Sequence, residues 1–124
     1  MDTRSKIVSV SEAPRNAAVA VGHFDVPGVE HTRVLAALRA RWIPVIAIVL
    51  PAGEETPEIL NQHDRARMAA ALRMVDYVLI AAANSHPGGL DDLLTILTPC
   101  EIVRLDTSEV EIFERRLRRL EEHA

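Results

Sequence analysis

Four short runs rich in apolar residues, separated by segments with a helical pattern, constrain the fold of this chain most. The runs cover residues 17–21, 44–50, 77–82 and 101–105. The first three are too short for buried helices, which predicts strands buried on both faces, and the last predicts a further strand. The run at 44–50 is the clearest strand, because β-branched apolar residues follow a proline that can open a strand but not lie in its middle.

Helical patterns fill the intervals between these strands. The first predicted helix covers about 29–41, and the second covers about 64–74, with Asp64 as its N-cap and with Met68, Ala71, Leu72 and Val75 at helical spacing. A third predicted helix carries leucines at 90, 93, 94 and 97 and ends before Pro99. A last predicted helix begins at the capping-box pair Ser108 and Glu111. This alternation predicts an α/β fold, a doubly wound, Rossmann-like parallel sheet of about four to five strands with helices on both faces. Residues 1–124 are predicted to form one domain, with 1–16 as an N-terminal arm or edge strand.

The composition limits the partners and the compartment. The formal net charge is −4, and a nucleic-acid surface needs clustered positive charge, so we expect no nucleic-acid partner. Cys100 is the single cysteine, which allows neither a disulfide within the chain nor a cysteine-based zinc site and indicates a reducing compartment. The polar N-terminus leads into no long apolar run, so we expect no signal peptide, no membrane anchor and a cytoplasmic location. The histidine spacing suggests no metal site.

The turn after the first predicted strand is the candidate functional site. It contains Gly22, Asp25, Pro27 and Gly28 and leads into the helix that carries His31. A strand that runs through such a turn into a helix can present backbone N–H groups and the positive helix end to a phosphate. In doubly wound sheets, ligands bind beyond the carboxyl ends of the strands. The sequence therefore predicts an anion site here.

The same residues resemble the signature of the cytidylyltransferase-like nucleotidyltransferases, which reads Gly-x-Phe-Asp, two residues, then His-x-Gly-His. Gly22, Phe24, Asp25 and the second histidine, His31, match it. A second stretch resembles the family's helix that ends in Val-Asp-x-Val ahead of the third strand. Its matching positions are Arg65, Met68, Leu72, Val75, Asp76 and Val78.

The resemblance implies transfer of a nucleotidyl group from CTP or ATP to an acceptor that bears a phosphate or an alcohol. Mg²⁺ would neutralise the triphosphate, and His31, with His23 in a compensating role, would stabilise the charge that develops at the phosphates. The resemblance implies that the nucleotide is bound at Gly22, Phe24, Asp25, Gly28, Val29 and Arg65.

Two positions depart from the signature. Gly28 stands in the place of the first histidine, and one lost donor to developing charge typically costs about 10² to 10³ in rate. Glu30 stands in the place of a glycine, where it either repels phosphate or faces water as a favourable acidic residue of the first helical turn. Thr107 and Ser108 fit helix capping better than a phosphate clamp. The sequence therefore predicts a degenerate phosphate site, with weak or absent cytidylyl or adenylyl transfer and binding of a nucleotide or small phosphate ligand.

Each candidate also has a purely structural interpretation. Asp25 is a common turn former, His31 could lie on the surface, His23 could bond to backbone, and Arg65 could be a solvated helix arginine. On this interpretation the chain is a noncatalytic structural or regulatory domain that self-associates as a homodimer through its last helix. The sequence leaves open whether the chain is an enzyme, and it identifies neither base nor acceptor.

Overall fold

Four strands and three α-helices alternate along the computed structural model, which describes residues 3–25, 29–41, 44–51, 60–83 and 87–105. The strands are β1 (Ala18–Gly22), β2 (Val45–Val49), β3 (Tyr77–Ile80) and β4 (Glu101–Arg104). The helices are α1 (Val29–Arg41), α2 (Gln62–Ala71) and α3 (Leu90–Leu97), preceded by a short 3-10 helix at Thr3–Lys6. The predicted last helix lies outside the described residues.

All strand pairs are parallel, and the strand order across the sheet is β3-β2-β1-β4. One row of paired residues crosses the sheet from Val78 through Ala47 and Ala20 to Val103. The chain steps in one direction from β1 to β3 and then places β4 on the other side of β1. The predicted α/β parallel sheet is confirmed, and the strand order reverses between β1 and β4, the place where such sheets bind ligands.

The two faces of the sheet bury different kinds of side chain. Alternate residues of β1 and β2 point to opposite faces, and all of them are buried. Toward α1 and α2 the first two strands present Ala18, Ala20, Val45, Ala47 and Val49. Toward α3 they present the bulkier set Val19, Val21, Ile46 and Ile48, packed against leucines of α3. Helices thus cover both faces, as the doubly wound arrangement predicts.

Helix α2 begins two residues before the position that the sequence predicts. Asn61 is its N-cap, and the Asn61 Oδ1 atom accepts the N–H of Asp64 at 2.8 Å. The prediction of Asp64 as the cap is therefore wrong, because Asp64 donates to the cap from within the first turn. The predicted inward stripe is also wrong in part, since Met68 is 40% exposed and the buried face is Arg65, Ala66, Ala69 and Ala70.

We expect Asn61→Ala to lower the free energy of unfolding by about 1 kcal/mol, the usual cost of losing an N-cap acceptor. Urea denaturation of the two proteins measures this difference. Asn61→Asp keeps an acceptor oxygen and serves as the control, with stability close to that of the wild type. A larger loss for Asp64→Ala than for Asn61→Ala would contradict the assignment of Asn61 as the cap.

The N-terminal segment lies along β3. Ile7 forms a single parallel bridge with Val78, and the N–H of Val8 donates to the carbonyl of Val78 at 3.0 Å. The Lys6 Nζ atom donates to the carbonyl of Leu72 at 3.2 Å. The segment is thus an arm with one bridge to the sheet rather than a full edge strand. Across the described ranges, no helix combines the length and apolar character that crossing a membrane requires.

Candidate functional site

Residues 22–25, here called the β1 turn, lie at the carboxyl end of β1. Gly22 is the last residue of this strand, and its carbonyl accepts the N–H of Leu50 at 2.9 Å. On the other side of β1, Val21 pairs with Arg104 of β4. The chain enters α1 at Val29. The β1 turn therefore lies at the carboxyl end of β1, as the sequence predicts, and the structure adds that the strand order reverses at this place, between β1 and β4.

Phe24 anchors the β1 turn in the core. Its side chain is fully buried in the cluster that includes Leu35 and Leu105. Its backbone has a φ of 57°, in the left-handed region that few residues other than glycine adopt. The aromatic ring thus faces the core under α1, and the residue as a whole has no exposed surface. A contact between Phe24 and a nucleotide stays a prediction.

Asp25 connects the β1 turn to the chain ahead of α2. The Asp25 Oδ1 atom accepts the backbone N–H of Leu60 at 3.2 Å. The interpretation of Asp25 as a turn former, with a bond to its own local backbone, stays a prediction. The bond from Leu60 spans 35 residues of sequence. Asp25 therefore ties two distant segments together at the carboxyl edge of the sheet.

The two candidate histidines lie in different elements, His23 within the β1 turn and His31 in α1. His31, in the first turn of α1, is only 7% exposed, so the interpretation of it as a surface histidine is wrong. His23 is partly buried, and its carbonyl accepts a hydrogen bond from Arg65. The partial burial of His23 agrees with its structural interpretation, and a bond from its ring to backbone stays a prediction. The catalytic roles of both histidines stay predictions.

Arg65 is a buried cation behind the β1 turn. It has no exposed surface, so the interpretation of it as a solvated helix arginine is wrong. Its Nη1 atom donates to the carbonyl of His23 at 2.9 Å and to the carbonyl of Leu50 at 2.8 Å. These carbonyls follow β1 and β2, so one guanidinium nitrogen joins the carboxyl ends of two neighbouring strands.

Gln62 is a residue of this edge that the sequence reasoning missed. Its Nε2 atom donates to the carbonyl of Val49 at 3.1 Å and to the carbonyl of Ala81 at 2.7 Å, which joins the ends of β2 and β3. Gln62 and Arg65 are three residues apart and therefore share one side of α2. The sequence pattern that could have identified them is the pair of alanines at 66 and 69, which lie on the same side of α2 and belong to its buried face.

The remaining candidates lie at the limits of the described residues. Gly28 falls outside them, and Val29 and Glu30 are described only as backbone of α1. Their predicted roles at the phosphates stay predictions. Within the described ranges, no group of three His, Cys, Asp or Glu side chains is placed to hold a metal ion.

Comparisons with known proteins support the fold. No protein-family model matches the sequence, and no curated protein matches it. Among solved structures, the chain is similar to the lipopolysaccharide core biosynthesis protein from Thermoplasma volcanium GSS1, with a TM-score of 0.60 and 17% sequence identity. The similarity covers 81% of this chain and 86% of that protein. The two proteins therefore share an α/β fold.

Proposed function

We propose that this chain is a nucleotidyltransferase-like domain that binds a nucleotide or another small phosphate ligand at the carboxyl ends of β1 and β4, with weak or absent cytidylyl or adenylyl transfer. The observation that carries this proposal is the placement of the β1 turn and the buried His31 where the strand order reverses. Crevices at that place are where doubly wound sheets bind ligands.

The start of α1 supports binding of an anion. The helix is 13 residues long and begins at Val29, soon after the β1 turn. The first N–H groups of a helix have no partner within it, and its dipole places partial positive charge at the same end. His31 adds a nitrogen donor in this first turn. A phosphate at the end of β1 would therefore meet donors from both the backbone and a side chain.

The sequence of the same segment supports weak catalysis. Gly28 and Glu30 stand where the resembled signature has a phosphate-binding histidine and a glycine. Mg²⁺ would arrive with the phosphates of the nucleotide, because Mg²⁺ is commonly held by substrate phosphates plus one or two carboxylates. The similar solved structure is a lipopolysaccharide core biosynthesis protein, and its fold supports the α/β part of the proposal. The proposal includes a cytoplasmic location.

Thermal unfolding with and without nucleotide, combined with sedimentation, separates this proposal from the alternative of a noncatalytic domain that self-associates. A ligand that binds only the folded state at about 100 times its Kd adds about 2.7 kcal/mol to stability. We therefore expect CTP or ATP with Mg²⁺ to raise the Tm. A Tm unaffected by both nucleotides, together with a dimer in sedimentation, would favour the alternative.

His31→Ala is expected to weaken nucleotide binding about 10- to 100-fold while the protein stays folded, because a hydrogen bond to a charged group is worth about 1.5–3 kcal/mol. Calorimetric titration gives the affinity, and circular dichroism checks the fold. His63→Ala is the matched control, since His63 is an exposed histidine of α2. Equal affinity of wild type and His31→Ala would contradict the role of His31.

A further inference from the structure

We propose that Arg65 is a positioning residue of the nucleotide site, which holds the β1 turn in its ligand-binding shape without contacting the ligand. This inference rests on the proposed function. The side chain is fully buried, and its Nη1 atom already donates to the carbonyls of His23 and Leu50. Arg65 therefore supports the turn from behind, on the side away from solvent.

The bonds of Arg65 fix where β1 ends relative to β2. The backbone N–H of Leu50, the residue after β2, donates to the carbonyl of Gly22, the last residue of β1, at 2.9 Å. The Nη1 atom of Arg65 then joins the carbonyls of the next residue of the turn, His23, and of Leu50 itself. The backbone is thus held by Arg65 for one residue beyond the end of β1.

A second bond holds the other end of the turn. Asp25 accepts the N–H of Leu60, which lies just ahead of α2, at 3.2 Å. The two bonds lie on either side of Phe24, whose ring is buried and whose φ is 57°. His23, Phe24 and Asp25 are thus each held by a contact outside the β1 turn. The leading part of α2 therefore sets the geometry of the proposed site.

Gln62 provides a matched comparison on the same helix. It donates to two strand-end carbonyls, as Arg65 does, but these belong to Val49 and Ala81 at the ends of β2 and β3. Loss of the Gln62 bonds weakens the docking of α2 on the sheet without removing a bond to the β1 turn. A purely stabilising role predicts the same effect on ligand affinity for Gln62 and Arg65, whereas a positioning role predicts different effects.

The test compares Arg65→Met, Arg65→Lys and Gln62→Met with the wild type. Affinity is measured by titration with CTP and with ATP, each with Mg²⁺, and amide hydrogen exchange is measured over residues 22–25. Residues that position ligands at metal sites are worth about 10- to 100-fold in affinity, and we expect a loss in this range for Arg65→Met. Arg65→Lys keeps the charge but not the planar fork, so it should recover part of the affinity.

The exchange rates supply a readout that stability alone does not give. We expect amide exchange over residues 22–25 to be faster than in the wild type for Arg65→Met and unchanged for Gln62→Met. We also expect Gln62→Met to bind nucleotide within about threefold of the wild-type affinity, a difference well below the loss expected for a positioning residue. If Arg65→Met does not fold, Arg65→Lys against Gln62→Met gives the same comparison. Equal losses in the Arg65 and Gln62 variants, or unchanged affinity in the Arg65 variants, would overturn the positioning role.

The failure of this inference differs from failure of the proposed function. Wild-type protein that binds neither nucleotide overturns the proposed function, and the role of Arg65 in binding falls with it. If the wild type binds nucleotide and both Arg65 variants bind it with the same affinity, only the positioning role is overturned.

Discussion

Phe24→Ala is expected to lower the free energy of unfolding by about 3–5 kcal/mol, the usual loss for a buried phenylalanine. The reason is that the Phe24 side chain has no exposed surface and packs in the cluster under α1, so that its removal leaves a cavity beside Leu35 and Leu105. A domain is stabilised by only about 5–15 kcal/mol in total. Urea denaturation should therefore show a much lower midpoint for the variant.

The backbone of Phe24 makes the glycine variant an informative control. At a φ of 57°, a residue with a Cβ atom carries a penalty of about 1–2 kcal/mol that glycine escapes. We therefore expect Phe24→Gly to be at least as stable as Phe24→Ala, the reverse of the usual order at a buried position. A cost below about 1 kcal/mol for Phe24→Ala would contradict the burial of the ring, since full burial of a phenylalanine is worth more than this.

Asp76→Ala is expected to lower the free energy of unfolding by about 2–3 kcal/mol, most of it the cost of a buried N–H that loses its acceptor. The Asp76 Oδ2 atom accepts the N–H of Val45, the fully buried first residue of β2, at 2.9 Å. The Oδ1 atom lies 3.3 Å from the Nη2 atom of Arg39, near the end of α1. One carboxylate thus joins the beginnings of β2 and β3 to α1.

Asp76→Asn and Arg39→Ala separate the two contributions of Asp76. The asparagine keeps an oxygen acceptor for the N–H of Val45 and should recover most of the lost stability. Arg39→Ala removes the ion pair together with an exposed hydrogen bond from the Arg39 Nη1 atom to the carbonyl of Arg73. We expect a cost of no more than about 1 kcal/mol, because both side chains of the pair are partly exposed to solvent. Equal destabilisation by Asp76→Asn and Asp76→Ala in urea denaturation would mean that the ion pair dominates instead.

The class of the fold could be predicted from the sequence because each strand carries its own signal. A continuous apolar run bounded by polar segments gave β1, β2 and β3 within one or two residues of their observed ends. The order β3-β2-β1-β4 had no such signal, since it depends on pairings between segments far apart in the chain. The sequence could place the candidate turn at a carboxyl end, but not beside β4.

The buried face of α2 was missed because an arginine and small alanines form it, not large apolar residues. Apolar spacing pointed to Met68, which is exposed, whereas Gln62 and Arg65 point toward strand ends. Arg65 donates hydrogen bonds to carbonyls that lie 15 and 42 positions away in the sequence. Gln62 donates to carbonyls 13 and 19 positions away. Such a bond becomes visible only once the strands are assembled, because local sequence does not show which backbone groups lack a partner.

For the candidate site too, the sequence predicts some features and misses others. The sequence identified Asp25 and His31 by their place in a turn and a helix, but neither the burial of His31 nor the bond from Leu60 to Asp25 follows from local pattern. The phosphate roles of Gly28, Val29 and Glu30 remain predictions from the sequence alone.

Isothermal titration of the purified protein with CTP and with ATP, each with Mg²⁺ at fixed salt, tests the central claim most directly. We predict saturable binding of at least one nucleotide, at an affinity that His31→Ala weakens and His63→Ala leaves unchanged. Absence of binding heat for both nucleotides at several temperatures, from protein that is folded by circular dichroism, would contradict the claim that the β1 turn and α1 form a nucleotide site.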